Sequence, residues 1–84
     1  MVESFEDVTQ LVRTLVEQIV ENPGAATVTG TDQENGELFI EIEVDESDIG
    51  KIIGRQGRII KAIRTLARAA ASQDGFRVEV ELAE

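Results

Sequence analysis

Four consecutive residues, Gly54-Arg55-Gln56-Gly57, have the types and spacing to hold a polyanion. Neither glycine carries a Cβ, so the backbone can turn sharply there and approach another chain closely. Amides beside a helix N-terminus are then free to donate to phosphate. Arg55 adds a forked cationic donor and Gln56 a neutral one, while Lys51, Arg58 and Lys61 flank the turn. Two glycines three apart also occur in tight turns that bind nothing, so the surrounding elements decide the reading.

Catalytic chemistry is poorly provided for. His, Cys, Tyr and Trp are all absent, which removes disulfides, thiolate and imidazole ligands, and the usual nucleophile–base pairs. Carboxylates are plentiful, but Glu41, Glu43, Glu79 and Glu81 fall on alternating strand positions, where a solvated face is the default. Asp45-Glu46-Ser47-Asp48 lacks the spacing and distal bidentate Glu of a calcium loop and reads as a helix start. The expectation is no enzyme, no metal site and no cofactor.

The net charge of −9 argues against a nucleic-acid partner. Its distribution argues the other way. Residues 1–50 hold thirteen acids and one cation, Arg13, whereas residues 51–73 hold Lys51, Arg55, Arg58, Lys61, Arg64 and Arg68 with no acid. Screening acts over about 8 Å at physiological salt, so this local excess matters more than the total.

The elements that must position the turn can be read on both sides of it. Ser4 and Asp7 resemble a capping pair, and Phe5, Val8, Leu11, Val12, Leu15, Val16 and Ile19 recur at helical spacing until Asn22-Pro23-Gly24 stops the helix. Thr27-Val28-Thr29 reads as a short strand, and Asp32-Gln33-Glu34-Asn35-Gly36 as a hairpin turn. Leu38, Ile40, Ile42 and Val44 alternate with Phe39, Glu41, Glu43 and Asp45, and Phe76, Val78, Val80 and Leu82 alternate with charged residues in a third strand. Ser47 or Asp48 is placed to cap a short helix ending at Gly54. A longer helix runs from Arg58 to about Ser72, with Ile60, Ile63, Leu66 and Ala67 on one side and Lys61, Arg64 and Arg68 on the other.

Asp48-Ile49-Gly50-Lys51-Ile52-Ile53-Gly54-Arg55-Gln56-Gly57-Arg58-Ile59-Ile60 resembles the helix, GXXG loop and helix of KH domains. The order helix, strand, strand, helix, helix, strand is similar to the bacterial type II arrangement, and Lys61-Ala62-Ile63-Arg64-Thr65-Leu66 is closest to the small stand-alone family KhpA. The resemblance covers nearly the whole chain and implies an α+β fold: a single type II KH domain over residues 1–84, with a three-stranded mixed sheet and three helices packed on one face. Its length leaves room for only one compact core.

The resemblance also implies single-stranded RNA as the partner, gripped through Gly54, Arg55, Gln56 and Gly57, with Lys51, Arg58 and Lys61 adding charge. In such domains bases lie in an apolar groove beside the loop, for which Ile52, Ile53 and Ile60 are the candidate floor and an adjacent strand the reader of base edges. Asp32, Glu34 and Glu37 in the hairpin correspond to the variable loop bordering that groove, which predicts weak binding with little sequence discrimination and a shallow salt dependence. Family members are associated with homodimers, with a larger KH-containing partner of the KhpB type, and with cell elongation and envelope synthesis, as RNA chaperones or post-transcriptional regulators. A protein-interaction module with little RNA binding is the rival reading, with Ala62, Ala67, Ala69, Ala70 and Ala71 as its smooth helix flank. No apolar run is long enough for a membrane span and no signal-peptide pattern opens the chain, so the expected location is the cytoplasm.

Overall fold

The computed structural model describes Val2 to Glu84, with side chains from Phe5 onward; α1 begins at Val2, so Ser4 lies within the helix rather than capping it. Helix α1 spans Val2–Ile19 and buries Val8, Val12 and Val16 along one stripe. Strands β1 (Thr27–Glu34) and β2 (Glu37–Glu43) form an antiparallel hairpin. After a 3₁₀ turn at Glu46–Asp48 come the short helix α2 (Ile49–Ile53), the turn Arg55–Gly57, helix α3 (Arg58–Gln73) and strand β3 (Arg77–Leu82). This is the type II KH order, with the mixed sheet and the packing expected from the sequence.

The sheet runs β1-β2-β3, with β2 and β3 parallel from Glu37↔Arg77 to Ile42↔Leu82. Parallel neighbours need a crossover connection, and α2, the glycine turn and α3 supply it. Leu38, Ile40 and Ile42 of β2 and Val78 and Val80 of β3 face the helices, while Glu41, Glu43, Glu79 and Glu81 stay exposed on the outer face. Ile40, Ile42, Ile52, Val12, Val16 and Val80 have almost no exposure. Burying each aliphatic side chain of this size contributes about 1.5–3 kcal/mol. Phe5 and Phe76 close one end of the core with ring centroids 4.6 Å apart.

Strand β1 runs to Glu34, well past the Thr27–Thr29 segment its β-branched residues suggest. The Asp32 carboxylate accepts a hydrogen bond from the Glu34 amide at 2.8 Å, and a bulge between these residues lets the ladder continue to Glu34↔Glu37. The reversal falls on Asn35-Gly36. Gly30 is needed within this strand for space, since a Cβ there would collide with Thr9 Oγ1 on α1.

Leu66 corrects the helical-face reading of α3. The helix buries Ile60, Ile63, Ala67 and Ala71, whereas Leu66 is 48% exposed. Ser47 and Asp48 also depart from expectation, because neither caps α2. Asp45 accepts from the Ser47 amide and hydroxyl at the head of the 3₁₀ turn. Asp48 is buried and turns back to accept from the Glu21 amide at 3.2 Å, the Asn22 amide at 3.0 Å and the Asn22 side chain at 3.1 Å. It therefore ties the end of α1 to the start of α2.

Candidate nucleic-acid interface

The turn between α2 and α3 is held by two backbone bonds, Gly54 N–H to Gly50 O at 2.9 Å and Gly57 N–H to Gly54 O at 3.1 Å. Gly54 (φ 75°), Gln56 (φ 58°) and Gly57 (φ 75°) all have positive φ. The two glycines serve different ends. A Cβ on Gly54 would strike the Ile59 side chain and sit 2.9 Å from the Ile59 amide, whereas a Cβ on Gly57 would meet only Lys61 Cε, at 3.9 Å. Gly54 is therefore a close-approach glycine that lets Ile59 pack under the turn, and Gly57 is required chiefly for its left-handed backbone.

Gln56 holds a left-handed conformation despite its Cβ, at a cost of about 1–2 kcal/mol. Its side-chain oxygen accepts from Arg58 Nη2 at 3.1 Å. Arg55 and Gln56 are the two central residues of the turn. Both residues are exposed. An exposed turn of left-handed residues is the kind of backbone that can cradle an anion.

The cations gather around this turn to different degrees. Arg55, Arg58 and Lys61 are exposed, and Lys61 continues the line of Gly57 one helical turn along α3. Lys51 stands 3.9 Å from Glu21 Oε2 in an exposed pair, worth little and readily exchanged for another anion. Of the proposed floor, Ile53 is half-buried at the surface and Ile60 is 7% exposed, but Ile52 is fully buried. Ile52 belongs to the core and has no surface to offer a base.

The acidic hairpin is not beside the turn. Its Gly36 carbonyl accepts from the Arg77 amide, just beyond the C-terminal end of α3, while the glycine turn lies at the N-terminal end. The 16 residues of α3 separate them by about 20 Å. That exceeds the screening length twofold, so Asp32, Glu34 and Glu37 act little on an anion at the turn itself.

Three residues acquire roles that sequence reasoning did not assign. Ile59 supports Gly54. Asp48 anchors α2. Arg64, read as part of a solvated stripe, is half-buried and donates from Nε to Val80 O on β3 at 3.0 Å. Its place three residues after Lys61 was visible, but the strand it reaches arrives only through the crossover.

Residues 9–82 match the family model described as KhpA/KhpB, KH domain. The chain belongs to this KH family. A protein of Caldanaerobacter subterraneus named RNA-binding protein KhpA is 44% identical over 73 residues, covering 87% of this chain and 96% of its own. One of the same name from Clostridium acetobutylicum is 41% identical with the same coverage. Among solved structures, Era in complex with MgGDPNP and nucleotides 1506–1542 of 16S ribosomal RNA superposes with a TM-score of 0.63 at 29% identity, over 89% of this chain. The chain spans only 28% of that structure's length. The KH family is not an enzyme family, so the expectation of no catalysis holds for this KH domain.

Proposed function

We propose that this KH domain binds single-stranded RNA by its sugar-phosphate backbone through Gly54-Arg55-Gln56-Gly57, with Lys51, Arg58 and Lys61 supplying the surrounding charge. The observation that carries the reading is an exposed, left-handed glycine turn set within a segment that holds six cations and no acid. The names of the relatives support it, as does the RNA bound to Era. KH domains clamp about four nucleotides with this loop. Half-buried Ile53 supplies the apolar surface beside the loop, Ile60 lying in the core beneath it. On this reading residues 1–84 act as one binding unit in the cytoplasm, as an RNA chaperone or post-transcriptional regulator whose tie to cell elongation and envelope synthesis follows from the family.

The test is fluorescence anisotropy with short single-stranded RNA, comparing the native chain with an Arg55→Asp, Gln56→Asp variant whose folding is checked by circular dichroism. The expected loss is at least about tenfold in affinity, or 1.4 kcal/mol. Equal binding by the two chains, or none by either, overturns the clamp.

A second reading, self-association or pairing with a larger KhpB-type protein, is favoured by the exposed stripe Ile59, Ala62, Leu66 and Ala69 on α3. Of the alanine flank first considered, Ala67 and Ala71 are buried in the core and Ala70 is partly covered. Leu66→Asp distinguishes this reading: sedimentation should show a dimer in the native chain and a monomer in the variant, with RNA binding by the loop retained.

A further inference from the structure

Both outer edges of the sheet meet an arginine from the helix above. On β1, Arg13 donates from Nη2 to Val28 O at 2.8 Å and from Nη1 to Gln10 Oε1 at 2.7 Å. On β3, Arg64 donates from Nε to Val80 O at 3.0 Å. Filling an edge carbonyl hinders pairing with a foreign strand, and that purpose accounts fully for Arg13, whose two terminal nitrogens are both engaged. It does not account for Arg64. Anchored by Nε alone, Arg64 keeps Nη1 and Nη2 without an acceptor among the described residues.

Their surroundings differ as well. The cleft at Arg13 is lined by Glu6, Asp7 and Asp32. Arg64 instead lies on the flank of α3 that begins at Gly57 and runs through Lys61 to Arg68, one further turn from the glycine loop. Beside it, the amides of Arg77 and Ala83 point inward to β2. The two-residue alternation of a strand then turns the Val78, Val80 and Leu82 backbones outward.

We propose that Arg64 reads a base: held at its Nε by Val80 O, it presents its two terminal nitrogens as a fixed fork to a nucleobase edge carrying two adjacent acceptors. That edge is O6 and N7 of guanine, or O2 and N3 of cytosine; adenine and uracil offer no such adjacent pair. Anchoring removes much of the arginine's rotamer freedom before the base arrives. The inference rests on the RNA-binding reading and adds a preference at a single position to a grip that is otherwise on backbone.

The experiment is selection from a pool of random short RNAs by the native chain and by Arg64→Lys, with sequencing of the bound fraction. The lysine keeps the charge and loses the fork. Expected is an enrichment of guanine or cytosine at one position of about tenfold over adenine and uracil, falling to about twofold or less in Arg64→Lys. Where guanine is enriched, replacing it by 7-deazaguanine in the native complex should lower affinity about tenfold, a readout independent of how the variant folds; where cytosine is enriched, replacement by uracil serves the same purpose. Loop-dependent binding with no base preference, or a preference unchanged by Arg64→Lys, overturns the role of Arg64 and leaves the RNA clamp standing. Failure of the native chain to bind the pool overturns both.

Discussion

Gly54 and Gly57 share a motif and a sign of φ, yet the atoms around them differ, so substitution should separate them. Gly54→Ala forces a methyl group into Ile59 as well as into a strained backbone, and the expected cost is about 2–4 kcal/mol in urea unfolding. Gly57→Asn meets open space and a residue type that tolerates the left-handed region, so its cost should stay below about 1 kcal/mol. Both glycines were legible as a loop from their spacing. Their division of labour was not, because it depends on where Ile59 packs. Asp48 shows the same limit: its position suggested a local cap, while its partners lie 26 and 27 residues earlier. Burial raises its pKa, but the amides of Glu21 and Asn22 and the Asn22 side chain outweigh that effect and hold the group below its ordinary value of 3.8. A depressed folded-state pKa means that the stabilisation is complete above the ordinary value and is lost as pH falls through the folded one. Stability of the native chain should therefore decline below about pH 4, with a shallower acid slope in Asp48→Asn, measured by denaturant midpoints across that range.

The division between core and surface on α3 is the element whose reading required most revision. Periodicity located its beginning, its end and its basic side. It misplaced Leu66 because a helix packed against one sheet and one neighbouring helix buries a narrower stripe than its apolar residues could fill. Ile60, Ile63, Ala67 and Ala71 fill that stripe, which leaves a basic flank and an apolar flank on either side. Distance from the loop ranks the cations on the basic flank. Lys61→Glu should weaken RNA binding about fivefold or more, and Arg68→Glu, two turns further along, less than about twofold at physiological salt, both read by anisotropy. Equal losses would mean that the bound strand runs the full length of α3.

Across the molecule, charge and topology divide the surface into two regimes. The outer sheet face carries Glu41, Glu43, Glu79 and Glu81, and the crossover segment carries the cations. On the proposed reading, a protein of net charge −9 holds RNA with one face while the other limits indiscriminate adhesion to polyanions. Binding that neutralises three or four phosphates should show a slope of about −2 to −3 in log K against log salt. A slope near zero would place the grip elsewhere than on phosphate. The element order and the alternating strands made this architecture readable from sequence, since those two signals agreed with the global fold. The length of β1 and the placement of the acidic turn at the far end of α3 were not, because a bulge and a strand register leave little trace in residue types.

The glycine turn sits within the connection between two parallel strands, and that placement has a consequence for synthesis. While the chain is being made, α1, β1 and β2 can associate through contacts close in sequence. The crossover helices have only two of the three strands to rest on until β3 follows them and pairs with β2. Val80, which anchors Arg64, belongs to that closing strand. On the proposed reading, a nascent chain lacks the Arg64 anchor until β3 has been added, and a lesion that loosens β3 should blunt base preference without touching the loop.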